Sequence, residues 1–167
     1  MQYAEIKGIN GLIVALDQEK AYNKIDHKYL WETLGKFGLP EQFINIIKSL
    51  YQNAETRVMI NRVLSSPYKV VRGVRQGDPL SCLLFDLAIE PLAAVLRKST
   101  LAGYNIPRIE TKLIANLFAN DMTVFLSESD NYSDLQKILT SWCKASTAKF
   151  NTGKTKIIPI GTEEFRT

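Results

Sequence analysis

Histidine is almost absent, His27 being the single one in 167 residues, and cysteine is confined to Cys82 and Cys143. One imidazole and two scattered thiols do not supply a structural zinc set, so no zinc is expected. A Ser-His-Asp triad would have to run through His27, which has no nucleophile motif beside it. Any metal must therefore be held by oxygen, which points to magnesium or manganese. Both cysteines lie among apolar neighbours and are expected to pack as small hydrophobes. Long apolar runs are missing as well. The longest are five to seven residues, short of the roughly 20 that cross a bilayer, and no membrane partner is expected. The opening residues, MQYAEIKG, lack the basic-then-apolar layout of a signal peptide, so an intracellular protein is expected. No run of like charges, low-complexity tract or internal repeat occurs.

What is present describes a globular chain. It is 46% hydrophobic and 23% charged, long enough for one core and one domain. A net charge of +4 and a pI near 9.0 favour a polyanionic partner, though by themselves only weakly.

The organising stretch is Leu113–Leu126, LIANLFANDMTVFL. Two apolar runs, Leu113–Ala119 and Met122–Leu126, meet at Asn120-Asp121 and read as buried strands joined by a tight turn. Asn-Asp can be no more than a turn dipeptide, but a second apolar run, Leu12–Leu16, ends in Asp17. Two carboxylates at the ends of neighbouring strands are what a divalent-metal site on a sheet needs.

In chain order, Asp26 is placed to cap a helix through about Lys36, and Gly38 and Pro40 end it. A second helix starts at Glu41, where Phe43, Ile46, Ile47, Leu50 and Tyr51 recur at helical spacing as a core face. Thr56–Ile60 and Leu64–Val71 read as strands around Asn61-Arg62. Arg62 is a misfit there, because a two-residue hairpin wants positive φ at both positions. Arg72–Pro79, RGVRQGDP, is a loop that can bring backbone and guanidinium groups to a phosphate or base, or simply a solvated turn. A long helix over roughly Ser81–Lys98 follows, with Leu83, Leu84, Leu87, Ala88, Leu92, Val95 and Leu96 inward and Pro91 bending it. Leu101–Ile106 is a short connection. A further helix spans Asp134 to about Ala148, with Leu135, Ile138, Leu139 and Trp142 on one face. A loop, Lys149–Lys156, in which Lys154 is a candidate phosphate contact or a solvated residue, leads to a strand, Ile157–Ile160. The order predicts an α+β fold, helices on one face of an antiparallel sheet.

With these pieces in order, the chain resembles the palm domain of reverse transcriptases from non-LTR retrotransposons, most closely those of fungal elements. ALDQEKAYNKIDH resembles the first palm motif and RGVRQGDPLSCLLF the second, the most specific match. LFANDMTVFL is similar to the aromatic-x-Asp-Asp motif, with asparagine in the first acidic place, and KFNTGKTKIIPIG is similar to the fourth motif. The resemblance implies an RNA-directed DNA polymerase acting on an RNA template, a DNA primer and deoxynucleotides, in the nucleus. It implies that Asp17 and Asp121 bind two magnesium ions and that Tyr22 lies under the incoming sugar. Gln76 and Gly77 would then pack against nucleotide and template, and Lys154 would sit near the leaving pyrophosphate. Asn120 would replace the carboxylate that bridges both metals, so a polymerase of impaired activity is expected. Asn23, Arg62 and Met122 stand where the family has Asp, Gly and Thr. The expected domain is a single palm fragment over residues 1–167, without the start of the fingers and without the thumb. The alternative expectation is a non-catalytic remnant that binds nucleic acid through its basic loops. A phosphoacceptor domain using Asp17, Asp121 and Lys154 fits poorly, since two hairpins oppose strictly alternating parallel units.

Overall fold

The computed structural model describes residues 2–106, 112–118 and 121–167. A six-residue helix, α1 (Gln2–Lys7), leads into strand β1 (Gly11–Asp17), and a single helical turn, α2 (Ala21–Lys24), precedes α3 (His27–Lys36) and α4 (Glu41–Gln52). Four two-residue strands follow, β2 (Glu55–Thr56), β3 (Met59–Ile60), β4 (Val63–Leu64) and β5 (Tyr68–Lys69). The chain continues through α5 (Pro79–Lys98), β6 (Ala115–Phe118), β7 (Asp121–Ser127), α6 (Tyr132–Ser146), β8 (Lys156–Ile160) and α7 (Glu163–Arg166).

The main sheet has the order β6-β7-β1-β8, and every pair in it is antiparallel. Side chains alternate between its faces. Val14 and Leu16 of β1 and Met122, Val124 and Leu126 of β7 all point to one face and are buried. There they meet Leu30 and Leu34 of α3, Leu84, Phe85, Ala88, Leu92 and Leu96 of α5, and Leu135 of α6. Fully burying one such Leu or Phe is worth about 1.5–3 kcal/mol, so this layer holds the fold. Among the described residues the opposite face is covered at its far end, where Ala4, Tyr104 and Ile160 pack with Ile13 and Phe125. The expected α+β arrangement, with the main helices on one face, is what forms.

Helix starts follow local chemistry. The Asp26 carboxylate accepts from the Tyr29 N–H at 2.9 Å, the cap anticipated for α3. Asp78 caps α5 by accepting from Leu80 N–H at 2.9 Å, with Pro79 in the first turn, so α5 begins two residues earlier than the apolar stripe implied. Asn131 does the same for α6, ahead of the expected Asp134.

Several expectations are corrected. On α4 the buried face is Ile44, Ile47 and Tyr51, whereas Phe43, Ile46 and Leu50 are exposed. On α5, Leu83 and Val95 face outward and Phe85 and Ile89 are buried in their place. Cys82 is exposed and Cys143 only half-buried. The long strands expected over 56–71 are four short ones, in two separate pairs, β2 with β5 and β3 with β4. Among the described residues α5 alone is long and apolar enough to cross a membrane by length and composition. It is the core helix, buried against α3, α6 and the sheet.

Candidate active site

The register of the two central strands decides the site. Val14 lies opposite Val124 and Leu16 opposite Met122, which brings Asp17 opposite Asp121. Phe118 of β6 is in turn opposite Asp121. Directly opposed residues of antiparallel strands share a face with Cβ atoms about 5 Å apart. Asp17, Asp121 and Phe118 therefore form a row across three strands, on the face that the main helices do not cover. Asp121 and Phe118 are exposed and Asp17 is half-buried. Asp121 is the first residue of its strand rather than part of the turn. Asn120, the fourth catalytic candidate, lies outside the described residues.

Beyond Asp17 the chain is held by the segment before β8. The Glu19 N–H donates to Lys149 O at 2.8 Å, Gln18 bridges to Phe150, and the Asn151 N–H donates to Asp17 O at 2.8 Å. The Asn151 carbonyl accepts from the N–H groups of Lys154 and Thr155 at 3.1 and 3.0 Å, closing a turn. That turn puts Lys154 Nζ 3.6 Å from Asp17 Oδ2, with the ammonium largely in solvent. Lys24 at 3.0 Å and Lys149 at 3.5 Å bracket Glu19. The hydrogen bond from Lys24, with the charge of Lys149, holds the Glu19 carboxyl below its ordinary range.

The second motif loop is anchored next to this. The Gly73 N–H donates to Ile25 O at 2.7 Å and the Val74 N–H to Tyr22 O at 2.6 Å. Gly73 has φ +82, and a Cβ there would lie 2.6 Å from Tyr22 O and 2.7 Å from Asn23 Cα, so no side chain fits. Tyr22 stacks on Phe85 with ring centroids 4.7 Å apart, and its hydroxyl lies 3.7 Å from Cys82 Sγ. The contact with Cys82, helped by burial, raises the Tyr22 pKa, so it stays a neutral phenol.

A cleft of about 470 Å³ results, lined by Asp17, Tyr22, Gln76 and Lys154 among others. Four of the residues singled out in the sequence thus share one cleft, and Asp121, which does not line it, lies opposite Asp17 in the strand register. Gly77 neighbours Gln76 without lining the cleft; its φ of +87 explains the glycine, as open space surrounds it. Sequence reasoning missed Gln18, Lys20 and Asn23 as lining residues. Their nearness to Asp17 in sequence was the available signal.

Among the described residues no three of His, Cys, Asp and Glu converge. The donors that do face each other, Asp17 and Asp121, are both carboxylates. A hard divalent cation that keeps several waters and takes one or two protein carboxylates fits such a pair, and a soft or nitrogen-seeking metal does not.

The reverse transcriptase (RNA-dependent DNA polymerase) family model matches residues 2–165. The chain is 34% identical over 154 residues to the transposon TX1 149 kDa protein of Xenopus laevis, covering 92% of this chain and 12% of that one. It is 35% identical over 122 residues to the Pol polyprotein of the R2 element of Nasonia vitripennis, covering 72% and 11%, and 31% identical to that of R2DM of Drosophila melanogaster, covering 68% and 10%. It thus spans about a tenth of the length of these relatives. In fold it is similar to telomerase from Candida tropicalis, solved with a fragment of telomeric RNA, at a TM-score of 0.67 and 15% identity over 90% of this chain and 26% of that one. Family, register and fold converge: this chain belongs to the reverse transcriptase family, as the domain carried by non-LTR retrotransposons of the R2 and TX1 kind.

Proposed function

We propose that this chain is the template-copying domain of a retrotransposon polyprotein, an RNA-directed DNA polymerase that extends a DNA primer with deoxynucleotides on an RNA template. The observation that carries the reading is the register pairing of Asp17 with Asp121 on the uncovered face. Asp17 and Asp121 would hold magnesium, with manganese as a substitute. Bound there, divalent ions supply activation of the primer 3′-hydroxyl and stabilisation of charge on the transferred phosphate.

The chain's own groups take the remaining roles. Lys154 keeps Asp17 paired at rest, and its exposed ammonium can swing to an incoming phosphate and stay near the leaving pyrophosphate. Tyr22, fixed flat against Phe85, forms a rigid floor under the sugar. Gln76 offers amide donors and acceptors to nucleotide or template from the cleft wall, and Gly77 keeps the backbone beside it clear of side chains. A single domain over residues 1–167 acting in the nucleus belongs to the same proposal. Its fungal origin rests on the motif likeness alone, since the relatives above come from Xenopus, Nasonia and Drosophila.

Asn120 favours a second reading, a remnant that binds nucleic acid without copying it. Asparagine keeps the size of aspartate but is neutral and offers a metal one oxygen. At an effective dielectric near 20, one unit charge about 4 Å away is worth roughly 4 kcal/mol per metal charge before screening. Losing one such unit from the transition state costs about a thousandfold in rate.

Primer extension on an RNA template with magnesium or manganese decides between them. The expected outcome is extension by Asn120→Asp at least about a hundredfold above the parent. Equal extension by both would remove position 120 from the chemistry, and none by either would favour the remnant.

A further inference from the structure

A second cleft lies behind the aspartate strand. Leu16 is next to Asp17 in β1 but points to the helix-covered face. There it floors a cleft of about 550 Å³ between α6 and the turn before β8. One stripe of α6 makes the near wall, because Tyr132, Gln136, Leu139 and Cys143 recur at helical spacing and all reach the cleft. Phe150, tilted against Trp142 with ring centroids 5.9 Å apart, makes the far wall with Thr152 and Thr155 of the turn.

An apolar floor under a few polar groups, at this volume, is the usual make-up of a small-molecule site. Leu16 and Leu139 are buried, and Tyr132, Cys143 and Phe150 are half-buried. Burial holds the Cys143 thiol above its ordinary pKa, so it lines the cleft as a neutral group. Thr155 donates its hydroxyl to Asn151 O at 2.9 Å, which fixes that wall to the turn. Lys144 is the one charged residue in the lining, and it has no ion-pair partner among the described residues. A lone cation over an apolar floor selects an anion with an apolar body. It is too little for a nucleic acid, whose phosphates each call for a cation.

We propose that this cleft binds a small aromatic monoanion, with its acid group at Lys144 and its rings between Leu139 and Phe150. One turn borders both clefts: Asn151 and Lys154 line the cleft at Asp17, and Thr152 and Thr155 line this one. An occupant resting on Thr152 and Thr155 therefore restrains the turn that brings Lys154 to Asp17, and acts on the aspartate site without touching it. The site goes beyond the polymerase reading and does not depend on it.

The test uses the chain itself and anilinonaphthalene sulfonate, with phenylnaphthylamine, the same rings without the acid group, as the neutral control. Fluorescence alone would mislead, because the exposed apolar residues of β3 and β4 also attract the dye. The two cysteines report the location instead, as Cys82 is exposed and lies outside this cleft. With the sulfonate at about ten times its Kd, modification of Cys143 by N-ethylmaleimide should slow roughly tenfold, and that of Cys82 should not change. Read from the same protection, the anion should bind at least about fivefold more tightly than the neutral control. Lys144→Gln, at an exposed position, should abolish that preference and Lys144→Arg should keep it. In protein with isotope-labelled dimethyl-lysines, the Lys154 resonance, assigned with Lys154→Arg, should move as the cleft fills. Equal protection of the two thiols, or none of Cys143, would overturn the site. Equal binding of the two probes, unaltered in Lys144→Gln, would overturn the anionic class. A Lys154 resonance that stays in place while Cys143 is protected would overturn the coupling through the turn. Primer extension, which tests the pairing of Asp17 with Asp121, is read separately from all of these.

Discussion

Two hairpins of this molecule have the same connection length and opposite fates. In one, Ile60 of β3 is paired with Val63 of β4; in the other, Phe118 of β6 is paired with Asp121 of β7. Both leave two residues between paired positions, and both are rich in apolar residues. The second is stitched to β1 along seven residues and buries Met122, Val124 and Leu126. The first pairs with nothing else among the described residues, and Met59, Ile60, Val63 and Leu64 stay between 52% and 71% exposed. The difference is in the partner: an apolar strand is buried only where another element meets its face. Position 121 is held in place because its hairpin has that partner.

The largest effect expected from breaking this comparison is in the core. Leu126→Ala should cost about 2–5 kcal/mol in chemical denaturation, and Ile60→Ala less than about 0.5. Equal losses would mean that the exposed hairpin is covered in solution.

A smaller effect is expected at Asp130, which secures the far end of β7. Its carboxylate accepts from the N–H groups of Ala102 at 2.7 Å, Gly103 at 2.9 Å and Ser127 at 2.8 Å. Burial alone would raise its pKa, but the three bonds outweigh burial and hold it below the ordinary value. The folded-state pKa is thus the lower one. The stabilisation is present above the unfolded carboxyl pKa and lost as pH falls through the folded one. Asp130→Ala should cost about 2 kcal/mol at neutral pH, after discounting for partial exposure, and much less in acid. A loss independent of pH, followed by urea titration, would contradict this.

The smallest effect belongs to the exposed turn. Asn61 and Arg62 have φ +49 and +68, the left-handed conformation that costs an arginine about 1 kcal/mol. Arg62→Gly should relieve roughly half of that, the rest being lost to greater freedom of the unfolded chain. Amide exchange at Val63 and Leu64 should slow while global stability hardly moves; a shift of global stability as large as the local one would mean that this hairpin opens only with the core.

Legibility in the sequence followed the same division. Asp17 and Asp121 could be paired in advance because Asp17 follows one apolar run and Asp121 precedes another, and the Arg62 misfit showed because the turn permits few residues. The α4 and α5 faces were misassigned because both helices carry apolar residues on more than one side, and only the surface they meet selects Ile44 over Phe43 and Phe85 over Leu83. The ring contact between His27 and Tyr51 was invisible because the two are 24 positions apart and meet only when α3 packs on α4.

The place of β1 in the sheet has a consequence for how the chain is made. It is a central strand synthesised before both of its neighbours, and β7 and β8 follow 104 and 149 residues later, counting from Asp17 to Asp121 and from Gly11 to Ile160. At about 5–20 residues per second the ribosome needs roughly 7–30 seconds to deliver both. For that interval LIVAL has two unsatisfied edges, a short aliphatic segment of the kind that associates with other unfinished chains. The charge at its end, Asp17, is then the local guard against such pairing. The carboxylate proposed as a ligand in the folded domain would thus serve the nascent chain first, as a gatekeeper.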